Sequence, residues 1–212
     1  MVGDVSLIEE FFPELSEEQR RQLAALGPLY EEWNAKINVV SRQDLPNLYE
    51  HHVLHSLALA RLLGEFTAGA KRGFGVLDVG TGGGFPGIPL AIVLPEFRFT
   101  LIDSVRKKVG VCQAVIDALK LGNARAFWRN AVEERGQWDF VVSRAVCSCA
   151  QLVQLTSHLK GRRRMLVLKG GDLREEIAGL ERLGIEDVGV QAISDYFPLP
   201  YFEEKKIVYW QC

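Results

Sequence analysis

The spacing of apolar residues predicts helices in the first third of the chain. Ser16 and Gln19 form the pattern of a capping box at a helix start. The apolar residues that follow recur at helical spacing: Leu23, Leu26, Tyr30, Trp33 and Ile37. Gly27-Pro28 predicts a kink or a restart in that helix, and a second helix is predicted from about Pro46 to Leu63. We therefore expect residues 1–72 to form an N-terminal helical cap.

From residue 73 onward, short apolar runs alternate with helical segments. Seven runs are predicted strands: Gly75–Val79, Arg98–Ile102, Ala124–Trp128, Phe140–Ser143, Met165–Leu168, Val188–Ile193 and Lys206–Trp210. The predicted helices between them are Ile88–Leu94, Val105–Leu121, Cys147–Leu159 and Leu173–Leu183. The alternation predicts an α/β, Rossmann-like fold with a mainly parallel seven-stranded sheet. Only a short loop precedes the last run, so we expect an antiparallel last strand. Residues 73–212 would form the core, as one compact unit with the cap.

Glycines are concentrated at one junction between a strand and a helix. A predicted buried strand ends at Asp78 and Val79, and the turn from Gly80 to Gly87 contains five glycines, Gly82 among them. Glycine permits positive φ and lets a ligand approach the backbone closely. Ligands of doubly wound sheets bind at the carboxyl ends of the strands. The turn is therefore a candidate cofactor site.

Two cofactor classes are compatible with this turn. Positions 82–87 match the fingerprint G-x-G-x-x-G, so a nicotinamide-dependent oxidoreductase is one alternative. Pro86 and Pro89, however, remove N–H groups that a pyrophosphate would need. Asp78 would repel a diphosphate and attract the cationic groups of S-adenosylmethionine. Asp103, at the end of the next strand, is placed to accept the ribose hydroxyls. These residues favour S-adenosyl-L-methionine.

Composition is that of an ordinary globular protein, with 48% hydrophobic and 25% charged residues. No apolar stretch reaches the roughly twenty residues of a membrane helix, and the amino terminus lacks a secretion signal, so we expect a cytoplasmic protein. The four cysteines lack the spacing of a zinc site, and we expect no metal. The net charge of -2 indicates no global basic excess. Three local basic clusters remain: Lys71-Arg72, Arg106-Lys107-Lys108 and Lys160–Arg164.

Several longer motifs are spread over most of the chain. The most specific is the end of the glycine turn, Gly84-Phe85-Pro86-Gly87-Ile88-Pro89-Leu90. The others are Trp33–Asn38, His52–Leu57, Leu101–Ser104 with Lys107-Lys108, Leu121–Asn123, Val142–Ala145 and Lys169-Gly170. In this order they resemble the motifs of the RsmG (GidB) family, the guanine-N7 methyltransferases of bacterial small-subunit ribosomal RNA.

The resemblance implies a fold, a reaction and a set of cofactor-binding residues. The fold would be that of class I methyltransferases, and S-adenosyl-L-methionine would be the cofactor. The substrate would be N7 of a guanine in 16S ribosomal RNA, either free or in the assembled small subunit. Gly80 and Phe85 would line the cofactor pocket, Asp103 would hold the ribose, and Ala131 and Val132 would flank the adenine.

Arg144 would reach the cofactor or the target nucleotide, and it is the one candidate for a catalytic role. N7 of guanine carries a lone pair and no proton, so its methylation requires positioning rather than a general base. We expect RNA contacts from Arg162, Arg163 and Arg164, and from Lys169 in the last motif. Nothing in the sequence requires more than a monomer.

Two positions depart from the family pattern. His55 stands where the family has Asp, and Asn130–Glu133 stands where the family has R-x-E-E. These departures leave two further alternatives open: a methyltransferase acting on another substrate, and a non-catalytic RNA-binding assembly factor. Trp128 or Tyr201 would be able to stack on an unpaired base in either RNA-binding role.

Overall fold

A seven-stranded sheet forms the centre of the molecule. The computed structural model describes residues 4–70, 73–144 and 146–212. The strands are β1 (Gly75–Val79), β2 (Arg98–Asp103), β3 (Ala124–Trp128), β4 (Phe140–Arg144), β5 (Arg164–Gly170), β6 (Val188–Ala192) and β7 (Lys205–Gln211). They lie in the order β3-β2-β1-β4-β5-β7-β6. The neighbours among β1 to β5 pair in parallel, and β7 pairs antiparallel with β5 and β6. The predicted fold class is confirmed.

Helices cover both faces of this sheet. The described α-helices are α1 (Ser6–Phe11), α2 (Glu17–Lys36), α3 (His55–Thr67), α4 (Gly87–Val93), α5 (Arg106–Ala118), α6 (Cys149–Thr156) and α7 (Arg174–Glu181). Apolar residues of α2 to α5 share one core with one face of the sheet, whereas α6 and α7 contribute to a second core. Within the described residues, no helix combines the length and the hydrophobicity that crossing a membrane requires.

Helix α2 does not restart at Gly27-Pro28, contrary to one of the two predicted outcomes, because it continues through Pro28. Proline has no N–H, so the carbonyl of Ala24 loses its helical donor. The Tyr49 hydroxyl lies 3.0 Å from the carbonyl oxygens of both Leu23 and Ala24. The same hydroxyl accepts the N–H of Gly27 at 3.2 Å. A side chain from outside the helix therefore supplies the bonds that proline disrupts.

The predicted second helix consists of three helical segments in succession. A 3-10 turn, Leu45–Asn47, leads into a π-helix, Leu48–Leu54, and then into α3. Such wide turns are rare and are frequent at functional sites. This segment brings three histidines, at positions 51, 52 and 55, beside Lys169 at the end of β5.

Buried hydrogen bonds attach the cap to the glycine turn. The Asn34 side chain accepts the N–H groups of Val39 and Val40 at 2.9 and 3.0 Å, and donates to the Val40 carbonyl at 2.8 Å. The loop after α2 is thereby held in place. Tyr30, on the same helix, donates its hydroxyl proton to the carbonyl of Gly83 at 2.6 Å. The turn therefore depends on the cap for part of its support.

The division of the chain at residues 72 and 73 stays a prediction. Cap and sheet share a single hydrophobic core. The basic pair Lys71-Arg72 and Ala145 of the motif Val142–Ala145 lie outside the described residues.

Tyr49→Phe tests how α2 accommodates Pro28. We expect the free energy of unfolding to fall by about 1–3 kcal/mol, because the Gly27 N–H and the Ala24 carbonyl lose a buried partner. Urea unfolding measures this loss. In a Pro28→Ala background the helix regains its own donor for Ala24, so the loss should be smaller. Equal losses in both backgrounds would contradict this role of Tyr49.

Candidate functional site

Three strand ends converge at one edge of the sheet. β1 lies between β2 and β4, and the chain changes direction across the sheet at this point. Crevices of this kind are where doubly wound folds bind their ligands. β1 leads into the glycine turn, β2 ends at Asp103, and β4 ends at Arg144. The turn, Asp103 and Arg144 all line a single cavity, called here the first cavity.

The glycine turn needs glycine for two separate reasons. Gly80 has φ of 70°, and a Cβ atom there would lie 2.3 Å from Cγ2 of Val146. Gly82 has φ of 58°, but no heavy atom lies within 4 Å of where its Cβ would stand. Positive φ excludes most side chains at both positions. At Gly82 the open space beside the backbone allows a ligand to approach it closely.

Asp78 braces the turn from the protein interior. Its side chain is fully buried. Oδ2 accepts the Thr81 hydroxyl at 2.6 Å and the Gly87 N–H at 2.9 Å, whereas Oδ1 has no partner. Burial raises the pKa of this carboxyl to about 7, although both hydrogen bonds act to lower it. Asp78 does not line the first cavity, so its contacts are with the turn rather than with a ligand in that cavity.

Asp103 joins the turn to the end of β2. Oδ2 accepts the N–H of Gly82 at 2.9 Å, and Oδ1 accepts the N–H of Val105 at 2.8 Å. The side chain lies in the wall of the first cavity. Since each carboxylate oxygen has a second lone pair, Asp103 keeps acceptor capacity for hydroxyl groups of a ligand.

The first cavity has a volume of about 490 Å³, which is within the range of small-molecule sites. Six of the eight predicted cofactor residues line it: Gly80, Gly82, Phe85, Asp103, Ala131 and Arg144. Asp78 and Val132 do not. Ser104 and Lys108 line it too; both belong to the motif Leu101–Ser104 with Lys107-Lys108, but no role in the site was predicted for them. The sequence did not indicate Val39 from the cap, nor Arg129, Val146 and Leu155. These residues lack a motif of their own and reach the cavity only through the tertiary fold.

Asn130 starts a short 3-10 turn, Ala131–Glu133, beside the cavity. Its side chain accepts the Val132 N–H at 3.3 Å, and the Glu133 side chain accepts the Asn130 N–H at 3.0 Å. This reciprocal pair is a capping box, which holds Ala131 in the cavity wall. Val132 does not line the cavity, and it is 46% exposed. The departure at Asn130 therefore has a local structural function.

Arg144 lies between the cap and the glycine turn. Its guanidinium carbon is 5.1 Å from the centre of the Phe85 ring. Nη1 donates to the His51 carbonyl at 3.3 Å, and Nη2 donates to Nδ1 of His52 at 3.0 Å. The cap therefore holds the one candidate for a catalytic role in a defined position.

A carboxylate continues this network beyond His52. Because arginine only donates, Nδ1 of His52 accepts and its Nε2 carries the proton. That Nε2 donates to Asp44 at 2.6 Å, and Asp44 also contacts Nδ1 of His51 at 2.5 Å. Burial, followed by the charge of Arg144, lowers the pKa of His52 to about 4. His52 is thus neutral at physiological pH. Through its two ring nitrogens it links Asp44 to Arg144 by hydrogen bonds.

The four predicted RNA-binding residues occupy different environments. Arg162 is exposed, whereas Arg163 is only 5% exposed. The Arg163 guanidinium donates to the carbonyls of Thr156 and Leu159 at 2.9 Å each, so it is not available to phosphate. This is a correction: Arg163 holds the chain after α6.

The other two predicted RNA contacts lie between these extremes. Arg164 is half-buried, and its guanidinium carbon lies 3.9 Å from the centre of the Phe66 ring. Nζ of Lys169 donates to Glu176 at 2.5 Å and to the Cys147 carbonyl at 2.8 Å. None of these basic side chains lines the first cavity.

The two aromatic candidates for stacking also differ. Trp128 is 61% exposed, its indole N–H donates to the Ser104 carbonyl at 3.0 Å, and the Arg106 guanidinium lies 5.4 Å from its ring. Tyr201 instead stacks on His51, with ring centres 3.7 Å apart. Trp128 therefore presents an accessible aromatic surface beside a basic residue, whereas one face of Tyr201 is already covered.

The two cysteines near the start of α6, Cys147 and Cys149, are not activated as nucleophiles. Burial raises the pKa of Cys149 to about 12 and raises the pKa of Cys147, so neither thiol ionises readily. Among the residues that the structure describes, no group of three or more His, Cys, Asp or Glu side chains has an arrangement suited to a metal ion.

Comparison with known proteins identifies the family. The family pattern named GidB, rRNA small subunit methyltransferase G, matches residues 19–194. The chain belongs to the GidB family. A relative from Bacteroides thetaiotaomicron, named ribosomal RNA small subunit methyltransferase G, is 45% identical over 98% of this chain and 100% of its own length. A relative of the same name from Flavobacterium psychrophilum is 46% identical over 95% of each chain. Membership in the GidB family excludes the nicotinamide-dependent alternative.

Solved structures confirm the fold expected for a GidB protein. A SAM-dependent methyltransferase from Aquifex aeolicus aligns with a TM-score of 0.56 at 22% identity, covering 80% of this chain and 95% of the other. Fibrillarin from Aeropyrum pernix, solved with natively bound S-adenosyl-L-methionine, aligns with a TM-score of 0.56 at 15% identity over 74% of this chain and 76% of its own. The sheet and its helices are thus those of the Rossmann-like class I methyltransferases.

The raised pKa of Asp78 predicts a pH dependence of stability. With a pKa of about 7 when folded and 3.8 otherwise, the folded state binds more protons than the unfolded state between these values. The free energy of unfolding should therefore fall as pH rises through this window, by an amount on the order of 1–4 kcal/mol. In the Asp78→Asn variant the side chain at position 78 cannot ionise, so the variant should lack this pH-dependent part of the free energy of unfolding. Urea unfolding of the wild type and the variant at about pH 5 and pH 8 measures this part. If the difference in stability between the two proteins were the same at both pH values, the raised pKa of Asp78 would be contradicted.

Proposed function

We propose that this protein transfers a methyl group from S-adenosyl-L-methionine to N7 of a guanine in 16S ribosomal RNA. The observation that carries the proposal is the match to small-subunit rRNA methyltransferases over nearly the whole chain. The glycine turn and Asp103 support it by forming a cavity of suitable size where such folds bind ligands. The reaction would take place in the cytoplasm. We propose that the protein acts as a monomer.

The residues of the first cavity fit S-adenosyl-L-methionine. Asp103 offers free lone pairs to the ribose hydroxyls, and Gly82 leaves its backbone open to close approach. Ala131 would flank the adenine, and the apolar side chain of Ile102 lines the same cavity. Asp78 is too deeply buried for direct contact, so we assign it the support of the turn. When bound, the cofactor supplies an electrophilic methyl group on a sulfonium.

The residues of the chain contribute to this reaction by positioning the guanine base against the methyl group of the cofactor. N7 of guanine has an in-plane lone pair and no proton, so no residue has to act as a general base. Holding the two reactants in the correct orientation accounts for large accelerations in such reactions. Arg144 and Phe85 are in place to orient the base, because both line the first cavity and contact one another. The neutral histidines, with pKa values of about 4 and 3 at His52 and His55, match a mechanism without proton transfer.

Recognition of RNA requires contacts outside the first cavity. We assign phosphate contacts to exposed Arg162 and, more weakly, to Arg164 and Lys169, whose side chains are partly engaged. Trp128 with Arg106 adds an exposed aromatic and basic pair suited to an unpaired base.

Mapping the methylated nucleotide tests the proposed function. Small subunits from cells lacking this protein, and separately their naked RNA, would be incubated with the protein and methyl-labelled S-adenosyl-L-methionine. Borohydride–aniline treatment cleaves RNA at N7-methylguanine. We expect a single labelled guanine, and the comparison of the two substrates shows which form of the RNA is recognised. Cofactor binding without labelling would indicate a non-catalytic RNA-binding role, and label on another acceptor would indicate a different substrate.

Substitutions at two neighbouring arginines distinguish a contact with RNA from a contribution to stability. Arg163→Met should lower the free energy of unfolding by about 2–4 kcal/mol, because two buried carbonyls lose their donor. Arg162→Ala should leave stability within about 0.5 kcal/mol but weaken binding to small-subunit RNA. Urea unfolding and RNA titration at fixed salt measure the two effects, with S-adenosylhomocysteine affinity as the control. A stable Arg163→Met protein with weakened RNA binding would reverse our assignment.

A further inference from the structure

The carboxylate of Asp44 bonds to two consecutive histidines. Oδ1 lies 2.5 Å from Nδ1 of His51, and Oδ2 lies 2.6 Å from Nε2 of His52. The backbone at Asp44 is itself held, because its N–H donates to the Ser41 carbonyl at 3.0 Å and its carbonyl accepts the Asn47 N–H at 2.9 Å. Asp44 therefore provides a fixed point outside the π-helix for two of the side chains that the π-helix carries.

The π-helix, Leu48–Leu54, explains how one carboxylate reaches both rings. Consecutive side chains of an α-helix point about 100° apart and do not face each other. A π-helix has more residues in each turn, so consecutive side chains diverge less. His51 and His52 both belong to this segment. Their rings can therefore share one carboxylate, and the same two residues also bond to Arg144.

The bond to Asp44 fixes the tautomer and the orientation of the His52 ring. An ionised carboxylate only accepts, so Nε2 of the neutral ring carries the proton and donates to Asp44. Nδ1 keeps its lone pair, which accepts from Nη2 of Arg144 at 3.0 Å. A ring that is anchored at one nitrogen holds the other nitrogen in place. Removal of the carboxylate would release the ring and leave Nη2 of Arg144 without a fixed acceptor.

Asp44 also brings negative charge close to a largely buried cation. Burial acts to raise the pKa of Asp44, but the hydrogen bonds from His51 and His52 hold it below its usual value, so the carboxylate is ionised. Burial lowers the pKa of Arg144, and the charge of Asp44 is among those that oppose this effect. A guanidinium has five N–H groups, so the bonds of Arg144 to the two histidines leave others for a ligand.

We propose that Asp44 is a positioning residue for methyl transfer, which acts on Arg144 through the ring of His52. The proposal rests on the proposed function, because that function gives Arg144 a part in orienting the guanine. Arg144 lines the first cavity, and Asp44 does not. Both residues line a second cavity of about 410 Å³, so the test has to distinguish this role from a direct contact of Asp44 with the RNA.

Two substitutions, Asp44→Ala and His52→Phe, test this path. Asp44→Ala removes the carboxylate of a side chain that is 32% exposed, where water can hydrate the histidines. His52→Phe removes both ring nitrogens and keeps a ring beside Phe85. We expect each substitution to lower kcat for unmethylated small subunits about 10- to 100-fold, with KM and S-adenosylhomocysteine affinity retained, because Arg144 is no longer held in position. The melting temperature of Asp44→Ala should stay within about 4 °C of the wild type.

A double variant with both substitutions shows whether Asp44 and His52 act as one unit. If Asp44 acts through His52, the double variant should lose at most about twofold in kcat beyond His52→Phe alone. Losses that multiply would overturn the proposal, because Asp44 would then act on the reaction by another route, such as contact with the RNA. The matched control is Asp117→Ala, which should keep the wild-type kcat. The Asp117 carboxylate accepts the Gln113 amide at 2.8 Å on α5 and lines neither cavity.

Nitrogen-15 NMR of arginine-labelled protein tests the positioning of Arg144 without any substrate. A guanidinium that is held by hydrogen bonds rotates slowly and gives separate Nη signals, whereas a free one gives an averaged signal. We expect separate Arg144 signals in the wild type and in Asp117→Ala, and an averaged signal in Asp44→Ala. Separate Arg144 signals in Asp44→Ala would show that the carboxylate does not hold the guanidinium, and the proposal would be wrong.

The outcomes distinguish a failure of this proposal from a failure of the proposed function. Failure of the wild-type protein to label N7 of guanine would refute the proposed function itself. Normal labelling by the wild type, together with a wild-type kcat in Asp44→Ala, would refute only the role of Asp44.

Discussion

Two carboxylates hold the glycine turn between β1 and α4 in its shape. Asp78 accepts the N–H of Gly87 at the end of the turn, and Asp103 accepts the N–H of Gly82 in its middle. Glycine loses more backbone entropy on folding than other residues, so a turn with five of them requires such bonds to stay ordered. A Cβ atom at Gly87 would lie 2.7 Å from Oδ2 of Asp78, which shows how closely the backbone approaches the carboxylate. The first cavity exists because this turn is fixed.

The cap contributes directly to the site rather than serving as an attached domain. Tyr30 bonds to the turn, Val39 lines the first cavity, and the histidine segment before α3 positions Arg144. Arg144 carries its charge in a largely buried place, where an isolated cation is unfavourable. Hydrogen bonds to His51 and His52, and the ring of Phe85, compensate for part of that cost. A bound nucleotide would supply further acceptors.

The basic residues in one short run of the chain lie in different environments. In the run from 160 to 164, Arg162 faces solvent, while Arg163 turns inward to carbonyls at the end of α6. A helix C-terminus exposes unpaired carbonyls and attracts cations, so a buried arginine can be stable there without a carboxylate partner. Two adjacent residues of the same type therefore lie in different environments, and charge runs in a sequence do not distinguish them.

What the sequence by itself determined was local: the seven strands, most helices, the glycine turn and the strand-end residue Asp103, because each follows from periodicity or from turn chemistry at neighbouring positions. The resemblance to the family added Phe85, Ala131 and Arg144 to the predicted cofactor-binding residues. The tertiary structure alone decided that Tyr49 would sustain α2 through Pro28, that Arg163 would be buried, and that Asp78 would support the turn instead of lining the cavity. It also decided that His55 and Gly170 would share a second cavity with Arg144. Burial and hydrogen-bond partners in these cases come from residues far apart in the chain, and local patterns carry no record of such contacts.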